Sequence, residues 1–146
     1  MDIHEITDAE GRVSEPAWLA RAEPVHRQLR PQLTADYAAE LLRVFASGGR
    51  MAVAAEGETV LGVAVWRLLV KTSSRRELYV DDLVTDEVWR ARGVGRALLA
   101  WLETRARELA CDTLALDSGT QRQRAHRFYF RAGFFVTSFH FVKKLA

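Results

Sequence analysis

A chain of 146 residues with 49% hydrophobic and 27% charged side chains can bury a core of its own, and such a composition excludes a fibrous or disordered polymer. The formal net charge of +2 and pI near 9.0 come without single-sign blocks, so nothing in the charge alone calls for nucleic acid or an anionic membrane. The longest apolar run, Val60 to Trp66, is far below the ~20 residues of a membrane helix. The acidic start MDIHEITDAE lacks the basic and apolar regions of a secretory signal. A single cysteine, Cys111, rules out an intrachain disulfide and fits a reducing compartment. The expectation is one domain spanning 1–146, cytoplasmic, with no membrane and no nucleic-acid partner.

Ile3 to Thr7 reads as a first strand. Ser14 to Pro31 is helical in spacing, with Ser14 as N-cap and Trp18, Leu19, Ala22, Val25 and Leu29 near one face, but Pro24 argues against one unbroken helix. Thr34 to Ser47 is a cleaner helix, capped by Thr34 and stopped by Gly48-Gly49, with Tyr37, Leu41, Leu42 and Phe45 on one side. Met51–Glu56 and Thr59–Val70 flank Gly57 as a hairpin, and Glu77–Thr85 is a third strand that carries two adjacent aspartates. A long amphipathic helix follows, with Val94, Leu98, Trp101, Leu102 and Leu109 on its apolar side. Thr113–Asp117 has the look of a buried strand. Thr120–Ala132 is a further helix opened by a Thr120/Gln123 capping box and stopped by Gly133, and Phe134–Leu145 is strand-like. This order gives a mixed α/β fold in which Glu77–Asp117 forms a right-handed parallel crossover.

The long helix begins in RARGVG, where Gly93 and Gly95 are framed by Arg90, Arg92 and Arg96. A helix N-terminus presents unpaired N–H groups and roughly +0.5 of partial charge. Glycines let a phosphate approach that backbone without a Cβ in the way, so the turn suits a pyrophosphate. On spacing alone a plain loop with solvated arginines is an equal alternative. The nucleotide P-loop is excluded because no Gly-Lys-Ser/Thr triplet occurs. The dinucleotide fingerprint fails because its third glycine position is Leu98.

Arg90-Ala91-Arg92-Gly93-Val94-Gly95 resembles the Gln/Arg-x-x-Gly-x-Gly/Ala motif of the GNAT superfamily, the acyl-CoA-dependent N-acetyltransferases. Ala125-His126-Arg127-Phe128-Tyr129-Phe130-Arg131-Ala132-Gly133-Phe134 resembles that family's second motif, A-x-x-F/L-Y-x-x-x-G-F. The resemblance covers Glu77 to the C-terminus and implies acetyl-CoA as co-substrate. Its pantetheine arm would enter between splayed parallel strands and pair with Leu83, Val84 and Thr85, and its pyrophosphate would rest on the stretch from Arg90 through Arg92, Gly93, Val94 and Gly95 to Arg96. Asn often precedes the second motif's alanine by three residues in the family, and Arg122 stands there instead. The resemblance further implies a mostly antiparallel sheet flanked by about four helices, and a homodimer is a candidate assembly.

Acetyl transfer to an amine must first remove a proton from a group of pKa ~10.4, so at pH 7 only about one amine in a thousand is a nucleophile. The resemblance casts Tyr129 as the general acid that protonates the departing sulfur. Its bland alternative is a core residue on an apolar stripe. For the base, strand alternation and position favour Asp81 over Glu77, whereas a bulge would reverse the parity and favour Asp82. These carboxylates are equally well read as arginine partners or as anchors for a cationic acceptor, with water alone as base. His126 reads as structural, and His4, His26 and His140 are scattered with no metal-ligand cluster. The expected activity is therefore acetyl-CoA-dependent N-acetylation of a small-molecule or peptide amine, without metal. A non-catalytic acyl-CoA sensor and a single-strand RNA binder that uses the arginines around Phe128, Tyr129 and Phe130 are the competing readings.

Overall fold

Alternation along the second and third strands dictates the architecture. In β2 (Arg50–Glu56) and β3 (Thr59–Lys71) of the computed structural model, which describes residues 1–146, nearly every central residue is buried. Burial on both faces requires helices on both faces. Met51, Val53, Val63 and Val65 share one core with Leu19, Ala22, Val25, Tyr37, Leu41 and Phe45 of two helices, α1 (Pro16–Leu29) and α2 (Tyr37–Ala46). The alternate positions Ala52, Ala54, Gly62 and Ala64 are small, and a Cβ on Gly62 would come within 2.8 Å of Val94 and 2.9 Å of Leu98. Those two belong to α3 (Val94–Glu108), so the small residues let that helix sit close on the second face.

The sheet runs β1-β2-β3-β4-β5, with β1 at Asp2–Glu5, β4 at Arg75–Thr85 and β5 at Thr113–Leu116. The first four strands are antiparallel neighbours. The fifth follows the α3 crossover, and its start is tied to the start of β4: Asp112 N–H donates to the Arg76 carbonyl at 2.7 Å and Thr113 Oγ1 bonds Glu77 Oε2 at 3.2 Å. The sheet is therefore mixed, as expected. By its contacts the chain divides into two compact units, Met1–Ala115 and Leu116–Ala146. No helix is long and apolar enough to cross a membrane.

Three expectations change in detail. α1 runs unbroken through Pro24, which lies exposed on the outer side, while Leu19, Ala22, Val25 and His26 are buried on the inner one. A helix-interior proline costs ~3 kcal/mol, and burying two or three such side chains offsets it at ~1.5–3 kcal/mol each. α2 begins at Tyr37 rather than Thr34, because Asp36 Oδ1 accepts the Ala39 N–H at 3.0 Å and so caps it. The capping box at Thr120 does not form: α4 (Gln123–Arg131) starts after a turn in which Arg122 N–H donates to the Gly119 carbonyl.

The largest departure is at the C-terminus. Gly133 ends α4 at φ +89°, as expected, with Phe134 N–H returning to the Tyr129 carbonyl at 3.0 Å. The strand expected over Phe134–Leu145 is absent from the sheet, and residues 135–146 are exposed. Strand periodicity marks a segment able to pair, but only a partner edge turns it into a strand.

Candidate active site

The glycine turn leaves the start of α3 open, with its first amides uncapped. A short 3-10 turn at Glu87–Trp89 leads out of β4, and Gly93 then adopts φ +83° as the residue capping α3. That left-handed conformation suits glycine and no β-branched residue. The first bond of α3 runs from Ala97 N–H to the Gly93 carbonyl at 2.9 Å, so the amides of Val94, Gly95 and Arg96 precede the ladder, and no side chain caps them. No acidic residue occupies the first turn, and Arg90, Arg92, Gly93 and Arg96 are exposed. Arg92 stacks on Trp89, its guanidinium carbon 4.8 Å from the ring centroid, which aligns one of the three cations. A Cβ on Gly93 would meet nothing within 4 Å, so the space over this backbone is open. Leu83, Val84 and Thr85 form the end of β4 that feeds the turn, paired with Ala64, Val63 and Gly62.

Upstream on β4 the two aspartates find their explanation. Val65 pairs with Asp82 and Trp66 with Val80, so Asp81 is the extra residue of a β-bulge. The bulge brings both carboxylates to the side of the sheet that carries Val65. Asp81 Oδ2 accepts from Arg67 Nε at 2.8 Å and from Arg67 Nη2 at 2.6 Å, and its Oδ1 is left without a partner. Asp82 has neither oxygen spare: His26 Nε2 lies 2.7 Å from Oδ2, and Arg30 Nε donates to Oδ1 at 2.7 Å. Burial by itself would raise the Asp82 carboxyl. Hydrogen bonds and charge from His26 and Arg30 outweigh it and hold the group below the ordinary aspartate value.

The network continues inward. His26 Nδ1 is 2.9 Å from the Tyr37 hydroxyl, and both residues are buried. Burial, with Glu23 and Asp82 nearby, pushes the Tyr37 phenol far above its usual range, so it keeps its proton. In the neutral tautomer Tyr37 O–H donates to Nδ1 and Nε2–H donates to Asp82, which orders Tyr37, His26, Asp82 and Arg30 into one chain of bonds. Sequence reasoning left His26 unassigned. The available signal was its place among Ala22, Val25 and Leu29 on the apolar face of α1, where a histidine must find a polar partner. Glu77, the other carboxylate on this strand, is buried and bonded by Lys71 and Thr113.

In the C-terminal unit, Tyr129 lies half-buried on α4 between Phe128 and Phe134, at centroid distances of 5.3 and 5.8 Å. Burial raises its phenol above the ordinary value against an opposing pull from Arg122, and its hydroxyl makes no hydrogen bond within the chain. It is a protonated donor with an unspent hydrogen. His126 is occupied structurally: Nε2–H donates to the Gly119 carbonyl at 2.8 Å. No group of three or more His, Cys, Asp or Glu side chains is arranged to hold a metal ion.

The sequence model of the acetyltransferase (GNAT) family matches residues 13–134, a span that takes in the glycine turn, the bulged strand and α4. The chain belongs to the GNAT family. GNAT proteins are acyl-CoA-dependent N-acetyltransferases, and an uncharacterized N-acetyltransferase of Bacillus subtilis, YhdJ, is 30% identical over 133 residues, covering 89% of this chain and 93% of that protein. The aminoalkylphosphonate N-acetyltransferase of Salmonella typhimurium is 36% identical over 66 residues, which span 45% of this chain and less than half, 43%, of that enzyme. Among solved structures, the aminoglycoside N-acetyltransferase AAC(6')-Iy in complex with CoA superposes with a TM-score of 0.82 over 99% of this chain and 95% of that one, at 18% identity. The GNAT fold is thus shared with a CoA-bound relative whose sequence has diverged widely.

Proposed function

We propose that this chain moves the acetyl group of acetyl-CoA to a primary amine by direct attack in a ternary complex. The observation that carries the reading is the opening of α3: uncapped amides at residues 94–96, a left-handed Gly93 and three exposed arginines, with no carboxylate to compete. A pyrophosphate fits that chemistry, since helix-end amides and guanidinium groups are both donors to phosphate oxygens. The residues holding it are Arg90, Arg92, Gly93, Val94, Gly95 and Arg96, and the end of β4, Leu83 to Thr85, supplies backbone to the pantetheine arm. The thioester supplies the activated acyl group.

Two proton movements fall to the protein. Tyr129 is the assigned acid: its phenol holds its proton well into the alkaline range and has no internal partner to release. Asp81 is the assigned base. Arg67 takes only Oδ2, so Oδ1 is available to an incoming ammonium, and the bulge sets that carboxylate apart from the ladder. Asp82, saturated and held ionised, anchors α1 against β4 and adds a fixed negative charge. Two carboxylates together favour a cationic amine as acceptor, and the resemblance to an aminoalkylphosphonate acetyltransferase agrees with a small charged amine.

The test is a screen of acetyl-CoA consumption against aminoalkylphosphonates, aminoglycosides, polyamines and peptides. Turnover with at least one cationic amine is expected. Tight CoA binding with no turnover across that panel would contradict catalysis and favour a non-catalytic acyl-CoA binder.

A further inference from the structure

The two arginines beside the β4 bulge are not equally occupied. Arg67 uses every guanidinium nitrogen, with Nε and Nη2 on Asp81 Oδ2 and Nη1 on the Ser47 carbonyl at 3.1 Å. Arg30 uses only two: Nε donates to Asp82 Oδ1 at 2.7 Å and Nη2 to the Asp81 backbone carbonyl at 3.2 Å. Its Nη1 makes no bond within the chain. At 39% its side chain is also the most exposed of the four, against 22% for Arg67, 24% for Asp81 and 13% for Asp82. One acceptor atom, Asp81 Oδ1, and one donor atom, Arg30 Nη1, therefore remain open, and the groups that carry them meet at residue 81.

We infer that the acceptor amine is zwitterionic: a small molecule whose ammonium meets Asp81 Oδ1 and whose carboxylate or phosphonate meets Arg30. The inference rests on the acetyl-transfer reading above and narrows its substrate. Charge argues for it. Asp81, Asp82, Arg30 and Arg67 sum to zero, so the four groups have no excess of either sign to draw in a polycation. A second ammonium on the acceptor would face the Arg30 guanidinium, whereas an anion in that place gains a charge-assisted hydrogen bond. Rigidity argues for it as well. Arg30 closes α1, its N–H bonded to the His26 carbonyl at 3.0 Å, and its guanidinium is braced by Asp82, which His26 holds from the buried side. A cation fixed before binding loses little side-chain freedom on meeting an anion. Size follows from covalent geometry. Arg30 touches the carbonyl of the same residue whose carboxylate receives the amine, so a short chain separates the acceptor's two charges.

The experiment follows thiol release from acetyl-CoA by the full chain. Its acceptors share an aminoethyl or an aminobutyl chain and differ only at the far end: carboxylate, phosphonate, hydroxyl or ammonium. In the wild type, kcat/KM for the best anion-bearing member should exceed that of the amino alcohol of equal length by about 10–100-fold, the worth of a charge-assisted bond, and that of the diamine by at least as much. Arg30→Gln should bring the anion-to-alcohol ratio near one. Arg30→Lys keeps the charge without the planar fork and should give an intermediate ratio, which decides the assignment if Arg30→Gln does not fold. A ratio between two acceptors cancels any general loss of activity that follows from disturbing Asp82. Amino alcohols or diamines turned over as well as the anion-bearing members overturn the inference, and so does turnover of aminoglycosides or peptides with none of the anion-bearing members; acetyl transfer itself stands in both cases. A full wild-type preference in either variant overturns the inference too. Tight CoA binding with no turnover of any amine contradicts acetyl transfer and this inference together.

Discussion

Replacing Asp82 with asparagine keeps the shape of the side chain and removes the charge that His26 and Arg30 both bond. The carboxylate accepts from His26 at 2.7 Å and from Arg30 at 2.7 Å, and His26 is tied in turn to Tyr37. Hydrogen bonds to a charged group contribute about 1.5–3 kcal/mol each. The His26 bond lies in the interior and keeps that value. Arg30 is 39% exposed on its side chain, so solvent screening reduces its share to well under 1 kcal/mol. The expected loss on Asp82→Asn is therefore about 2–3 kcal/mol at neutral pH, a large part of the ~5–15 kcal/mol that holds a domain together. At ~2–4 °C per kcal/mol for a chain of this size, the melting temperature should fall by roughly 4–12 °C. The pH dependence gives an independent sign. The folded-state pKa of Asp82 lies below its ordinary value, so its stabilisation is complete above the ordinary value near 3.8 and fades as pH falls through the lower, folded-state one. Wild type and variant should differ in urea denaturation from neutrality down to about pH 4 and converge only below it. A neutral-pH difference under ~0.5 kcal/mol, the size of an ordinary surface substitution, would refute the reasoning.

Other consequences are separable in kinetics and binding. Tyr129→Phe should lower kcat by ~10²–10⁴-fold with little change in the KM for acetyl-CoA, since only proton donation is removed; a matched fall in stability with kcat intact would make Tyr129 a packing residue. The alkaline fall of wild-type kcat that reports the Tyr129 phenol should lie above the pH at which an ordinary tyrosine titrates, because burial raises that phenol. Gly93→Val forces a β-branched side chain into φ +83° at about 1–2 kcal/mol or more and puts a branched side chain over the amides. CoA affinity should drop at least about tenfold by fluorescence titration, and unchanged affinity would remove the turn from the binding site.

What the sequence disclosed was local in origin. Gly93 and Gly95 before a 3.6-residue apolar period announce both the helix and its uncapped, left-handed start, because backbone freedom and periodicity are written within a few residues of each other. Gly133 was legible for the same reason. The hairpin of β2 and β3 was legible from continuous apolar runs around Gly57. The bulge at Asp81 was not, because it depends on how β4 registers against Val65 and Trp66, a pairing separated in sequence. Nor was the role of His26, whose partner Asp82 lies 56 residues away. Pro24 misled because propensity is a weak force beside burial of one whole helix face. The tail misled in the opposite direction: Phe134–Leu145 has the composition of a strand, but no strand forms there, because pairing is a property of an edge that composition alone does not encode.

The central claim is that backbone amides at the start of α3 grip the diphosphate of the coenzyme. Isothermal titration of the full-length chain with CoA, and separately with pantetheine, which lacks the diphosphate, tests it most directly. Saturable heat with CoA, weakened by added salt, and little or none with pantetheine is the predicted pair of results. Equal binding of the two ligands, or no heat from CoA with a folded chain, would contradict the account.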